Sequence, residues 1–316
     1  MQKLFVFLNL FLFWLLLTAC APESKEPMRV GTNLWPGYEP LYLAAELGYW
    51  DSSEVRMTEF NSSSEVMRAF RNQSIDAAAL TLDEVISLWQ DNMQAEVVLV
   101  LDISKGADVI VAKPEFSHFK DLKHQKIAVE STALGAYFIS RALEINNMTP
   151  KDIEVVPLGV SDHESAFNNN QVQAVVTFEP VRTKLLEKDG VEVFSSRNIP
   201  GEIIDVLVIR KSYLRKNRHQ AESLAEGWFE AIEYMFNEPR DASRRIAKRL
   251  NISPQEVLAS YEGLELVGEE KNKIMLSGKK ALVNQTLMKL TASMMQNRLL
   301  TEPPPIERII NDQLVR

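Results

Sequence analysis

The sequence predicts an α/β protein of two lobes, with a ligand cleft between them and a helical C-terminal layer. Three observations carry this expectation. Short apolar runs alternate with helical patterns, as in parallel α/β units. A second strand and helix series begins near Lys126. The last third, from Tyr213, has helical periodicity without strand-like runs. A chain of 316 residues is also longer than one hydrophobic core usually serves.

The N-terminus reads as an export signal. Lys3 precedes the apolar run Leu4–Leu17, and Leu17-Thr18-Ala19-Cys20 follows it. A run of 14 residues is too short to span the hydrocarbon core, which takes about 20 residues in a helix. The order of positive, apolar and small residues fits a secretory signal. Cys20 is the single cysteine, so it has no disulfide partner within the chain and is expected to be the acylated residue of a lipoprotein. Residues 1–19 are then the signal peptide and residues 20–27 a polar tether. Removing the signal takes away one Lys and no acid, so the net charge moves from -8 to -9. That balance argues against nucleic-acid binding, which needs a basic face.

The stretch from Val30 to Trp50, VGTNLWPGYEPLYLAAELGYW, reads as a strand, an aromatic turn and a helix. Pro36-Gly37 suits the central positions of a type II turn flanked by Trp35 and Tyr38. The helix that follows should end at Gly48 in the left-handed conformation. Further strands are expected near 55–60, 75–80, 97–103, 107–112, 126–130, 154–158, 173–178 and 203–210. Ser62-Ser63-Ser64-Glu65, Thr81-Leu82-Asp83-Glu84 and Ser161-Asp162-His163-Glu164 each place a hydroxyl three residues before Glu, directly after a strand. Each reads as a capping box, and together they aim helix starts at the strand edge where open α/β sheets bind ligands. Glu130-Ser131-Thr132-Ala133-Leu134-Gly135 holds the same position, with small residues that admit a ligand to the backbone. Ser253-Pro254-Gln255-Glu256 starts a later helix, and Trp228 lies on an apolar helical stripe as a core residue. Residues 28–112 are expected to form most of lobe 1, residues 113–205 lobe 2, and residues 206–316 the completion of lobe 1. The crossings between lobes are expected at Lys113-Pro114 and near Asp205.

No catalytic constellation emerges. His118, His124, His163 and His219 are scattered, no HExxH, GxSxG, Walker A or GxGxxG is present, and no metal site or cofactor is expected. His163 is expected at the surface. The basic clusters Arg210–His219 and Arg244–Arg249 read as solvated helix faces.

The opening stretch, together with Gln73-Ser74-Ile75-Asp76-Ala77-Ala78-Ala79-Leu80, Gly106-Ala107-Asp108-Val109-Ile110-Val111-Ala112-Lys113-Pro114 and Phe178-Glu179-Pro180, resembles periplasmic solute-binding proteins of the nitrate, sulfonate, taurine and thiamine-pyrimidine group of ABC transporters. The resemblance implies a type II periplasmic-binding fold that hands a small solute to a membrane permease. It implies a ligand site at Asn33, Trp35, Tyr38, Ser62, Ser63, Ser64, Thr81, Asp83, Ser131, Thr132, Gly135, Phe178 and Glu179. A related enzyme branch uses a cysteine-rich iron-site motif, which this chain lacks beyond Cys20, so a binding protein rather than an enzyme is expected.

Charge adds to that reading. Asp83, Asp102, Glu130, Glu179 and Asp205 lie near strand ends, and no Lys or Arg accompanies the first-lobe turns before Lys105. With Trp35, Tyr38 and Phe178 they suit a nitrogen-rich or cationic small molecule; the alternative is that these acids only cap helices and that an anion binds at the helix N-termini. The expected partners are that solute, an ABC permease and the membrane through the lipid on Cys20. The chain is expected to be a monomer in the periplasm, with Ala21 favouring the outer membrane. The alternative role is a ligand-sensing adaptor for a membrane-bound signalling receptor.

Overall fold

The computed structural model describes residues 26–278 and 281–316. The expected signal peptide, Cys20 and the tether before Glu26 lie outside the described residues.

The first run of elements is β1 (Met28–Asn33), α1 (Glu39–Leu47), β2 (Val55–Phe60), α2 (Ser63–Arg71), β3 (Ala77–Thr81), α3 (Leu82–Gln90) and β4 (Ala95–Ser104). A second run follows: β5 (Val109–Ala112), β6 (Lys126–Val129), α4 (Ala133–Ile145), β7 (Glu154–Pro157), α5 (Val160–Asn168), β8 (Ala174–Thr177), α6 (Val181–Leu186) and β9 (Val191–Ser195). The chain returns through β10 (Ile204–Arg210) and α7 (Lys211–Leu214). It then continues through α8 (Arg218–Asn237), α9 (Pro239–Leu250), α10 (Pro254–Ser260), β11 (Leu264–Leu266), α11 (Glu269–Leu276) and α12 (Leu282–Gln296).

Two sheets result. The six-stranded sheet has the order β11-β4-β10-β3-β1-β2, and the five-stranded sheet β7-β6-β8-β5-β9. β1 runs parallel to β2 and β3, whereas β10 runs antiparallel to β3 and β4. In the second sheet β6 is parallel to β7 and β8, and β5 is antiparallel to β8 and β9. The central strands β3, β4 and β5 are buried along their whole length. They therefore read as continuous apolar runs rather than alternating ones.

Several expectations meet the structure directly. Gly48 ends α1 at φ 77°. Ser253 and Glu256 form a reciprocal cap on α10, with Ser253 N donating to Glu256 Oε2 at 2.7 Å and Glu256 N donating to Ser253 Oγ at 3.2 Å. Trp228 is fully buried and donates from Nε1 to Val267 O at 3.2 Å.

Other expectations are corrected. β5, read as part of the first lobe, pairs only in the second sheet, so the first crossing lies between Ser104 and Val109 and not at Lys113-Pro114. The return crossing lies between Ser195 and Ile204. β9 and β11 were not foreseen. β9 is a half-buried edge strand, and β11 has only three residues, too few to show a period in the helical tail. His163 is fully buried, with Nε2 3.1 Å from Leu158 O. Arg249 is no free surface charge either, since it pairs with Glu39 and Glu59 and lies over the Tyr42 ring at 3.9 Å.

The two crossings are stitched together. Ser104 Oγ and Ser196 Oγ are 2.8 Å apart, Gly106 N donates to Ser196 Oγ at 2.6 Å, and Asp108 N donates to Ser104 Oγ at 3.2 Å. Gly106 adopts φ 118°, and a Cβ there would lie 2.3 Å from the Arg197 guanidinium carbon. Only glycine meets both demands.

Candidate functional site

Antiparallel strands bring the site together. β1 and β3 end at one edge of the first sheet, and β10 begins there, so Asp205 stands opposite Thr81 on one side and Asp102 on the other. The second sheet uses the same device. β5 begins beside the end of β8, with Val109 opposite Thr177, and this delivers Asp108 to the cleft.

The aromatic turn after β1 departs from its expected form. Pro36–Tyr38 is one turn of 3-10 helix, with Tyr38 N donating to Trp35 O at 3.0 Å, and Gly37 has no positive φ. Its glycine has another cause: a Cβ at Gly37 would fall 1.9 Å from Asp102 Oδ2. The turn can therefore press against the carboxyl group, and Trp35 Nε1 donates to the same oxygen at 3.1 Å. Tyr38 OH donates to Asp205 Oδ1. Across the cleft, the Trp35 and Phe178 rings meet edge to face with centroids 5.3 Å apart. Ser64 Oγ donates to Ser131 O at 2.9 Å and closes the lobes at the rim.

Behind these contacts lies a cavity of about 30 Å³ lined by Asn33, Trp35, Tyr38, Ser63, Thr81, Glu84, Asp108, Glu130, Thr132, Leu134, Phe178 and Asp205. A second chamber of about 20 Å³ shares Asp108, Glu130, Thr132, Leu134 and Phe178 with it and adds Gly135, Phe138, Val160, Val176 and Thr177. Outside, a groove of about 830 Å³ is bounded by Ser62, Ser64, Ser131 and Glu179 among others, and includes Arg68 and Lys184. Among the described residues, no Lys or Arg lines either inner chamber.

Asp83, Glu84, Asp102, Asp108 and Asp205 are all at most 4% exposed. Each has at least one buried carboxyl oxygen without a hydrogen-bond partner, and both oxygens of Asp83 are so placed. Burial pushes Asp108 up to about 6, against the opposing hydrogen bond to Ser104. Burial and the charge of Glu84 push Glu130 up to about 7. Burial and the neighbouring Asp102 raise Asp205 well above the carboxylate range, and burial likewise raises Asp83, Glu84 and Asp102. No basic group offsets these shifts. These shifts follow from burial beside other acids, since each carboxyl loses the hydration that stabilises its ionised form.

The chain takes up part of the helix starts itself. Ser62 Oγ accepts from Glu65 N at 3.3 Å and Thr132 Oγ1 accepts from Gly135 N at 2.9 Å, whereas at α3 Glu84 Oε2 accepts from Thr81 N at 3.1 Å and the Thr81 hydroxyl has no partner. The third expected capping box does not form. α5 starts two residues early, with Gly159 as its cap, which puts Ser161 inside the helix.

Of the residues named from the sequence, Asn33, Trp35, Tyr38, Ser63, Thr81, Thr132, Phe178 and Asp205 converge on the first chamber, and Gly135 lines the second. Asp102 supports Trp35 from behind, and Asp83 is buried without facing either chamber. Glu179 is not a free acid: its carboxylate accepts from Arg182 Nη1 and Thr183 Oγ1, each at 3.0 Å. Glu84 and Asp108 were missed as site residues. Glu84 had been read only as a cap, and Asp108 stands before a strand, where a search of strand ends does not look.

Comparison with known proteins adds the lineage. The model described as NMT1-like family matches residues 21–251. An aliphatic sulfonates-binding protein of Escherichia coli (strain K12) is 22% identical over 249 residues, covering 76% of each chain. Among solved structures, the periplasmic aliphatic sulphonate binding protein SsuA of Escherichia coli aligns with a TM-score of 0.74 at 17% identity, over 92% of this chain and 93% of its own. The alkanesulfonate-binding protein SsuA of Xanthomonas axonopodis pv. citri, bound to MOPS, aligns with a TM-score of 0.74 at 14% identity, over 92% and 100%. The desulfurization enzyme DSZB aligns at 0.66 with 13% identity, over 91% and 97%, so the fold by itself hosts both binding and catalysis. The two sheets and their cleft are the two-lobed type II periplasmic-binding fold.

Proposed function

The chain belongs to the NMT1-like family, and from that premise we propose a lipid-anchored periplasmic protein that captures a small nitrogen-containing cation between its lobes and delivers it to an ABC permease. The observation that carries the solute class is the set of buried carboxyl groups with free oxygens, facing Trp35, Tyr38 and Phe178, with no Lys or Arg on the chamber walls. An ammonium group would gain charge-assisted hydrogen bonds from the acids and cation–π attraction from the rings. A sulfonate in the same place would face Glu84, Asp108 and Asp205, with no Lys or Arg of the described residues on the chamber wall to offset them. The sulfonate chemistry named for the relatives is therefore not carried over. Catalysis is not part of the reading, since no side chain at the chambers forms a nucleophile and base pair.

A thermal-shift screen of the full chain in detergent tests the solute class, using amines, pyrimidines, amino acids, taurine, sulfonates, nitrate and phosphonates. A ligand at a hundredfold excess over Kd adds about 2.7 kcal/mol, which raises Tm by roughly 5 °C in a chain of this size. A shift confined to amines or aminopyrimidines is the expected result, and one confined to sulfonates or nitrate overturns the reading. The anchor is tested separately: Cys20→Ser should move the protein from the membrane to the soluble periplasmic fraction, and retention in membranes would remove the lipid from the proposal.

A further inference from the structure

The two inner chambers differ in what each adds to the walls they share, and that difference speaks to the shape of the solute. The first chamber alone contributes Glu84, Asp205, Trp35 and Tyr38. The second alone contributes Gly135, Phe138, Val160, Val176 and Thr177, with no charged side chain among them. Asp108 and Glu130 stand between the two. We propose that the solute is a compact amine with a short aliphatic arm. Its ammonium group sits among Asp108, Asp205 and Glu84, and its arm lies in the second chamber against Phe138, Val160 and Val176. This rests on the cation reading above and deepens it.

The polar groups point the same way. The free oxygens of Asp108 and Asp205 belong to side chains 4% and 2% exposed, and no donor of the described residues reaches them. In the second chamber the buried hydroxyl of Thr177 is the single polar side chain not shared with the first, and it too lacks a partner. The arm therefore ends in at most one hydroxyl. A second ammonium placed there would have to share Asp108 and Glu130 with the first, because no other acid borders that chamber.

Calorimetric titration of the full chain in detergent with methylamine, n-propylamine, 1,4-diaminobutane and propane-1-sulfonate tests this. Each methylene buried in the arm chamber strengthens binding roughly fourfold, so n-propylamine should bind more than tenfold tighter than methylamine. Val176→Leu fills the chamber with one extra carbon and should narrow the gap between n-propylamine and methylamine severalfold. Val160→Leu makes the same test from the opposite lining element. Equal affinity for the two monoamines overturns the arm, as does tightest binding of the diamine with no response to Val176→Leu; both results leave the cation reading standing. Binding of propane-1-sulfonate with no binding of any amine overturns both, and so does binding of none of the four.

Discussion

Glu202 and Asp205 lie three residues apart on the segment that returns from the second lobe, and both are 2% exposed. Their surroundings are opposite. Glu202 accepts from Arg141 Nε at 2.8 Å and Nη2 at 3.0 Å and from Tyr137 OH at 2.6 Å, and Lys289 Nζ lies 2.7 Å away. Burial alone would raise its pKa, but the hydrogen bonds from Arg141, Lys289 and Tyr137 win and hold it below the ordinary value. Asp205 has one neutral donor, Tyr38 OH, a free Oδ2, and a second acid, Asp102, as its neighbour. One carboxylate is provided with its counterions by the fold and ties α4 of the second lobe to α12 of the helical layer. The other is buried and left without one. Burial without a counterion is costly, and perturbed groups of that kind concentrate where a ligand completes the site.

The comparison predicts opposite responses to neutralisation. Glu202→Gln leaves Arg141 without its partner and should cost about 3 kcal/mol. Chemical denaturation would show it, together with a Tm drop of roughly 6 °C. Asp205→Asn should leave the empty protein as stable or more stable, yet weaken amine binding about a hundredfold, or about 2.7 kcal/mol, in a titration. If both variants destabilise the empty protein alike, Asp205 is a structural acid and the contrast is broken.

The pH dependence sharpens the same point. Asp108 and Glu130 have folded pKa values raised to about 6 and about 7, so the empty protein binds more protons than the unfolded chain does. Their contribution is fully present below the unfolded values near pH 4 and is lost as pH rises through 6 and 7. Glu202 acts in the opposite sense: its contribution is present above its unfolded pKa and disappears as pH falls below it. A Tm scan of the empty protein should therefore fall from pH 5 to pH 8, by on the order of 2 kcal/mol, and Asp108→Asn should flatten that fall. An amine binds more tightly over the same rise because it favours the ionised acids, whereas an anion would bind more weakly. The smallest expected effect is that of Trp35→Phe. It removes the hydrogen bond to Asp102 but keeps a ring against Phe178, and it should weaken amine binding about tenfold with little change in Tm.

How much of this was legible depends on the range over which each signal acts. The caps at Ser62 and Ser253, the left-handed end at Gly48 and the buried stripe holding Trp228 are set within a few residues, and the sequence displays them. Gly37 was legible as a special glycine but for the wrong reason. Its partner, Asp102, is far along the chain, and close approach leaves no local mark. Glu179 finds its partners, Arg182 and Thr183, three and four residues on, so its pairing is a local signal that the reading of it as a site acid passed over.

By itself the sequence determined the alternation of strands and helices, the aromatic turn, the helix starts and the excess of acid near strand ends, because propensity, periodicity and capping are short-range physics. The tertiary structure decided which acids share a cavity and which receive a cation. β5 and β10 run antiparallel to their neighbours, so Asp108, just before β5, and Asp205, second in β10, come to the ends of β8 and β3 at the cleft. That choice of pairing rests on contacts between residues distant in sequence, and it separates the uncompensated Asp205 from the compensated Glu202 just before it.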